Sequence, residues 1–265
     1  MRSARRLLRR KDRQALRQFL AEGRQAVTEA LQTAYVRRVF VDQAELQRHQ
    51  DLLNVAARAG IGLGTVPSRT FAELAGTVTP QGILAVCDAV DVPAGEVLKP
   101  GARLVVLCDQ VRDPGNLGTV IRCADAFGAD AVLVSTDSVD LYNPKTVRAS
   151  TGSLFHLPIG VGIDVADALG AARAAGLATY GADGGAHCTV DDLDRSGALA
   201  EPILWVFGNE AHGLADEHAA LVDRLVSLPM YGRAESLNLS TAAAALLYAT
   251  ATAQRREPTG SGPAS

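Results

Sequence analysis

From Ala102 onward, short continuous apolar runs alternate with segments of helical periodicity. ARLVVLCDQV, AVLVST, LATYGAD, PILWVFGNE and RLVSLPM each read as strands with apolar residues on both faces. NLGTVIRCADAFGA, VADALGAARAAG, LADEHAALVD and a last small-residue segment, SLNLSTAAAALLYA, read as helices. NPKTVRASTGSLFHLPI holds a helical turn or two and a short strand. Strands that are apolar throughout and separated by helices predict a parallel sheet covered on both faces. The N-terminal third has a different rhythm. RRLLRRKDRQALRQFLAEGRQAVTEALQT predicts helix, with Leu8, Leu16, Phe19 and Leu20 on one apolar stripe and Gly23 as a dividing point. VRRVFVD, GLGTVP and GILAVCDAV predict strands. QRHQDLLNVAARAG predicts a helix, and SRTFAELAG a shorter one capped by Ser68. These elements predict a small α/β domain. The stretch Asp91–Gly101, with two prolines and two glycines, reads as the link to the second series. The Gly-, Ser- and Pro-rich tail from Glu257 is expected to be disordered.

Composition changes this picture in one respect. The whole chain carries a formal charge of -3, which does not advertise a polyanionic partner. Residues 1–50, however, hold twelve Arg or Lys against five Asp or Glu. That concentration, above all Arg5, Arg6, Arg9, Arg10 and Arg13, is the footprint expected of a surface that holds nucleic-acid phosphates. The four cysteines, Cys87, Cys108, Cys123 and Cys188, form no CxxC pair and sit mostly in apolar runs, so buried thiols are expected and no metal site. No apolar run has the length of a membrane span, and no secretory apolar segment follows the basic start, so a cytoplasmic protein is expected.

In a parallel sheet, ligands gather beyond the carboxyl ends of the strands. Three polar clusters fall there: Asp109–Gly118, Gly208–His212 and Pro229–Asn238. In the first, Asp113-Pro114-Gly115 makes a turn, Asn116 is placed to cap the next helix, and Arg122 follows six residues later, broadly on the same face. In the second, Gly208 ends a strand and admits a ligand close to the backbone, with Asn209, Glu210 and His212 behind it. In the third, Pro229 breaks a strand and Gly232 relaxes the loop before Ser236 and Asn238, either of which can cap the final helix. One cap is needed and several polar groups are present, so the surplus points to a ligand. Dinucleotide-binding, P-loop and GxSxG patterns are absent.

DPGNLGTVIRCADAFGAD, VFGNEAHGL and LPMYGRAESLNLSTAAAALLY, in that order, resemble the three motifs of the SpoU branch of the SPOUT RNA methyltransferases, the TrmH-like family. The resemblance covers Leu104 to about Ala249, and residues 10–90 are more weakly similar to the family's L30e-like substrate-binding domain. It implies an L30e-like domain over residues 1–95, a trefoil-knotted methyltransferase domain over 101–256 and a tail over 257–265. It further implies transfer of a methyl group from S-adenosylmethionine to an RNA ribose 2'-hydroxyl, without a metal, by a homodimer, and large-subunit rRNA is the substrate expected. By family likeness the catalytic set is Arg122, Asn116, Glu210, Ser236 and Asn238. Tyr180, Gly181, Gly208, Leu228, Leu237 and Asn238 would contact the cofactor. Asn143, Lys145 and Arg148 would join the N-terminal arginines on RNA phosphates. A guanidinium is a poor proton acceptor, so the role expected of Arg122 is to grip phosphate and stabilise the emerging alkoxide. Two other readings stay open: an RNA-binding or ribosome-assembly protein that keeps the fold without the chemistry, and an RNA base methyltransferase.

Overall fold

The structure, a computed structural model, describes residues 2–77 and 79–256, without the side chains of Arg2 and Ser3; the tail expected to be disordered lies outside them. The basic N-terminal stretch is not one helix. It divides into α1 (Arg2–Arg6), α2 (Arg10–Leu16), strand β1 (Gln18–Glu22) and α3 (Arg24–Leu31). Arg17, at φ 50°, turns the chain left-handed and ends α2. Three consecutive apolar residues, Phe19, Leu20 and Ala21, are all buried, which a strand covered on both faces allows and one helix face does not. Leu8 and Leu16 are each 37% exposed, so the expected stripe does not exist.

β2 (Val36–Asp42), α4 (Gln50–Arg58), β3 (Gly62–Val66), α5 (Ser68–Leu74) and β4 (Ile83–Asp88) follow as expected. They make a four-stranded sheet in the order β1-β4-β2-β3. β4 runs antiparallel to both β1 and β2, with Phe19 opposite Cys87 and Phe40 opposite Leu84. Ser68 is the first residue of α5 rather than its cap, and its hydroxyl donates to Asp42 across 2.6 Å.

The remaining elements are α6 (Ala94–Val97), β5 (Leu104–Cys108), α7 (Pro114–Ala126), β6 (Ala131–Ser135), α8 (Pro144–Ser150), β7 (Ile159–Ile163), α9 (Val165–Ala174), β8 (Ala178–Ala182), β9 (Cys188–Thr189), α10 (Val190–Arg195), β10 (Ile203–Phe207), α11 (Asp216–Ala219), β11 (Arg224–Ser227) and α12 (Leu239–Arg255). The sequence pattern does not announce β9 or α10. The second is set by a reciprocal cap in which Thr189 Oγ1 accepts from the Asp192 backbone N–H and the Asp192 carboxylate accepts from the Thr189 backbone N–H.

The chain forms two compact units. The first contains residues up to Val92 together with Arg112–Arg122 and Val139–Ile159. Within it α8 packs on β1, and the Phe19 ring stacks on Tyr142 with centroids 4.6 Å apart. Tyr142 Oη accepts from the backbone N–H groups of Val90 and Asp91 at 2.7 and 2.8 Å. The second unit contains Pro93–Val111, Cys123–Ser138 and the chain from Gly160.

Its seven-stranded sheet has the order β7-β6-β5-β10-β8-β11-β9, and the pairings from β6 through β9 are all parallel. The late strand β10 lies between β5 and β8, so the ends of β5, β8, β10 and β11 open on one edge. Trp205, fully buried on β10, is tied to α12 by donation from Nε1 to Thr250 Oγ1 at 2.9 Å. Thr250→Val keeps the shape and strands that indole N–H. A destabilisation of about 1–3 kcal/mol is expected, read as a lower denaturant midpoint with an unchanged slope.

Candidate active site

A cavity of about 290 Å³ lies at the strand edge of the second unit. Three loops line it: Ala182–Gly184 after β8, Gly208–Ala211 and Gly213 after β10, and residues from Leu228 to Leu239 after β11. α12 closes it with Ala242 and Leu246. Val226, Leu228, Met230, Leu237 and Leu239 are its apolar lining residues, and Asp183, Glu210 and Glu235 its acidic ones. The cavity therefore favours a ligand with an apolar body and positive charge.

Of the expected cofactor contacts, Gly208, Leu228 and Leu237 line this cavity. Tyr180 and Gly181 do not. Tyr180 is buried edge-on against Trp205, with ring centroids 5.7 Å apart. A Cβ at Gly181 would lie 2.5 Å from Leu214, so that glycine serves packing inside the sheet layer. The lining begins one residue later than the resemblance implies, with Ala182 at the end of β8 and Asp183 and Gly184 just past it. At Gly208 the chain itself also demands a glycine. A Cβ there would lie 2.4 Å from the Gly213 carbonyl, so the chain's own loop approaches closely at this point. That loop closes on itself through reciprocal backbone bonds between Asn209 and Gly213 at 2.8 and 2.9 Å.

Among the expected catalytic residues, Glu210 and Ser236 reach the cavity wall. Asn238 caps α12, its side-chain oxygen accepting from the Ser240 backbone N–H at 2.9 Å. It shapes the loop from the helix end rather than lining the cavity. Cys108, at the end of β5, is no nucleophile: burial, helped by the carboxylates of Glu210 and Asp109, pushes its thiol up to about 12.

Asn116 and Arg122 lie on α7, within the first unit. The cap of this helix is Asp113, which accepts from the Asn116 backbone N–H at 2.9 Å, with Pro114 in the first helical position. Asn116 is therefore inside the first turn rather than at the cap position. Six residues at 100° each put Arg122 about 120° from Asn116 around the helix axis, not on the same face. Arg122 is exposed, while Leu117, Val120, Ile121 and Ala124 are buried and carry the packing of the helix. Gly118 admits α8 closely: a Cβ would lie 2.4 Å from the Thr146 carbonyl.

The expected phosphate contacts sort unevenly. Asn143 caps α8 by accepting from the Lys145 N–H at 2.9 Å. Lys145 Nζ donates to Asp113 at 2.7 Å and holds that carboxyl below the usual carboxylate range, against its partial burial. Arg148 pairs with the buried Glu22 at 3.0 Å. Arg13 is 5% exposed and donates to Asp140 at 3.0 Å and to the Leu7 carbonyl at 2.8 Å, so it is an interior strut and not a phosphate contact. Arg5 pairs with Glu73, and Arg6 with Asp12 at 2.8 Å, both at the surface. Arg9 and Arg10 are exposed.

The chain belongs to the SpoU rRNA methylase family, whose profile matches residues 103–248. The profile for RNA 2'-O ribose methyltransferase substrate binding matches residues 20–93. The chain is 35% identical over 238 residues to the Bacillus subtilis (strain 168) 23S rRNA (guanosine(2553)-2'-O)-methyltransferase RlmP, covering 90% of each protein. It is 41% identical over 177 residues to a 23S rRNA (uridine(2479)-2'-O)-methyltransferase of Streptomyces viridochromogenes, covering 64% of this chain and 59% of that one. The crystal structure of the SpoU methyltransferase AviRb from Streptomyces viridochromogenes in complex with the cofactor AdoMet superposes with a TM-score of 0.81, at 32% identity, over 95% of this chain and 96% of that one.

S-adenosylmethionine fits the cavity of this chain. It carries a sulfonium and an ammonium, both attracted by carboxylates such as Asp183, Glu210 and Glu235, and an adenosine that suits walls of Leu, Val and Met. Among the described residues no helix is long and apolar enough to cross a membrane.

Proposed function

We propose that this protein methylates a ribose 2'-hydroxyl of large-subunit rRNA, using S-adenosylmethionine, as a cytoplasmic homodimer. The observation that carries the reading is the cavity at the strand edge, where carboxylates and apolar side chains from motif loops two and three form one wall. Relatives that act on 23S rRNA support the substrate class. Exposed large apolar side chains support the dimer: Tyr231 is 91% and Tyr248 61% exposed, and a second copy would cover them.

Bound S-adenosylmethionine supplies a methyl group already activated by its sulfonium. The chain's task is then the nucleophile. A ribose hydroxyl is weak near neutral pH, and Arg122 stabilises the charge that grows on its oxygen as the proton passes to solvent water. Asn116 and Ser236 orient the ribose, Glu210 contributes negative charge to the cofactor wall, and Asn238 holds the loop that carries Ser236 and Leu237. Arg9 and Arg10, with Arg5 and Arg6, meet RNA phosphates.

Ribose-methylation mapping of rRNA from cells with and without the gene tests this directly. One 2'-O-methyl in large-subunit rRNA is expected to disappear, and purified protein is expected to restore it with labelled S-adenosylmethionine. Label recovered on a base would replace ribose with base methylation. RNA binding without any transfer would leave the non-catalytic assembly reading.

A further inference from the structure

Asp109 is 1% exposed, and its Oδ1 has no hydrogen-bond partner. Its other oxygen, Oδ2, accepts from His218 Nδ1 on α11 at 2.6 Å. A buried carboxylate held by a single side-chain donor is costly unless its position does something. What it positions is the next residue. Gln110 stands at φ +53°, a left-handed backbone conformation uncommon for a side chain of its size. Its N–H donates to Ser135 Oγ at 2.9 Å, and its carbonyl accepts from Asn209 Nδ2 at 2.9 Å. Asn209 lines the cofactor cavity. Its side-chain oxygen accepts from the N–H groups of Ala211 and His212 at 2.9 and 3.3 Å, which shapes the loop between Gly208 and Gly213.

We infer that His218 is a positioning residue for the cofactor loop, acting through Asp109, Gln110 and Asn209. The chain of contacts runs within the second unit, from α11 to the end of β5 to the loop after β10. His218 is not among the residues that line the cofactor cavity. It fixes the corner after β5 in the strained conformation that turns the Gln110 carbonyl toward Asn209. Without its donor, the Asp109 carboxylate turns toward water, the corner relaxes, and the loop loses its preset shape before the cofactor arrives. The cost then falls on cofactor affinity, because binding must re-form the loop.

This inference rests on the methyltransferase reading, and calorimetric binding of S-adenosylmethionine to the full chain without RNA separates the two. Wild-type protein that does not bind overturns that reading and this inference with it. With binding established, His218→Ala and His218→Leu are expected to raise the Kd about tenfold, which corresponds to about 1.4 kcal/mol. His218→Asn places an amide N–H where the imidazole N–H stood and is expected to restore the affinity to within about twofold. In steady state the KM for S-adenosylmethionine rises with the Kd, while kcat at saturation and the KM for RNA stay put. If the Ala variant does not fold, the Leu variant, which fills the volume without a donor, supplies the readout. Wild-type affinity in the Leu variant overturns the inference. So does an Asn variant as weak as the Leu variant, or a parallel loss of RNA affinity.

Discussion

Arg122→Ala is expected to leave a folded protein that binds S-adenosylmethionine as tightly as wild type and transfers methyl at least about 10²-fold more slowly. The structure separates the two halves of that expectation. Helix α7 is held by Leu117, Val120, Ile121 and Ala124, all buried, while Arg122 is exposed. Alanine is the best helix former, so truncation there changes stability by no more than about 0.5 kcal/mol. The cofactor cavity is built without Arg122. In the proposed mechanism the variant loses the positive charge that stabilises the ribose oxygen as it becomes anionic, an interaction that strengthens only toward the transition state. Arg122→Lys keeps a charge without the planar fork and is expected to fall between the two. Single-turnover transfer of labelled methyl at saturating RNA, beside calorimetric cofactor binding, reads both quantities. A cofactor affinity that falls with the rate would move Arg122 from chemistry to architecture.

Gly208→Ala is expected to do the reverse, removing cofactor binding by about 10²-fold while leaving the RNA-binding unit intact. The added Cβ would lie 2.4 Å from both the carbonyl carbon and oxygen of Gly213 and 2.5 Å from the Leu214 nitrogen. Those are backbone atoms, so no side-chain rotation relieves the clash and the loop itself must open. Overpacking of this kind costs about 1–3 kcal/mol, and here the displaced segment is cavity wall. Gly184 is the internal control. It lines the same cavity, but a Cβ on it meets nothing within 4 Å, so Gly184→Ala is expected to bind S-adenosylmethionine nearly as wild type does. Equal losses in the two variants would mean that the cavity senses any side chain, not the closure of one loop. Thermal melts of both variants check that the difference lies in the site.

The parallel sheet was legible because its signal is local. β5, β6, β8, β10 and β11 are apolar runs with helices between them, and each run is recognisable from its own few residues. The polar loops after β5, β10 and β11 were legible for the same reason, since turn formers beside charged and amide side chains stand out against apolar flanks. The motif order then identified the chemistry. Glu210, Ser236, Gly208, Leu228 and Leu237 do meet around one cavity. Glu235, one of the surplus polar groups of the third loop, lines it as well; Met230 lines it too, and nothing in the local pattern marked that residue as wall, because a loop has no periodicity to say which residues face inward.

Other features needed the folded chain. β1 reads as helix until β4 supplies its partner, since Phe19, Leu20 and Ala21 suit either element and only pairing decides. Arg13 looks like one more surface cation; Asp140, distant in sequence, takes it into the interior. The cap of α7 fell to Asp113 rather than Asn116 because Pro114 can occupy the first helical position, where its missing N–H costs nothing. His218 carries no local sign of a role at all, and acquires one only because folding brings it to the buried carboxylate of Asp109. By itself, then, the sequence determined the alternation of strands and helices, the loops that carry polar chemistry and the family they belong to. Tertiary structure alone decided which charges are interior, which loop residues face the cavity and which distant groups hold them there, because burial and pairing are properties of partners that no short window of sequence contains.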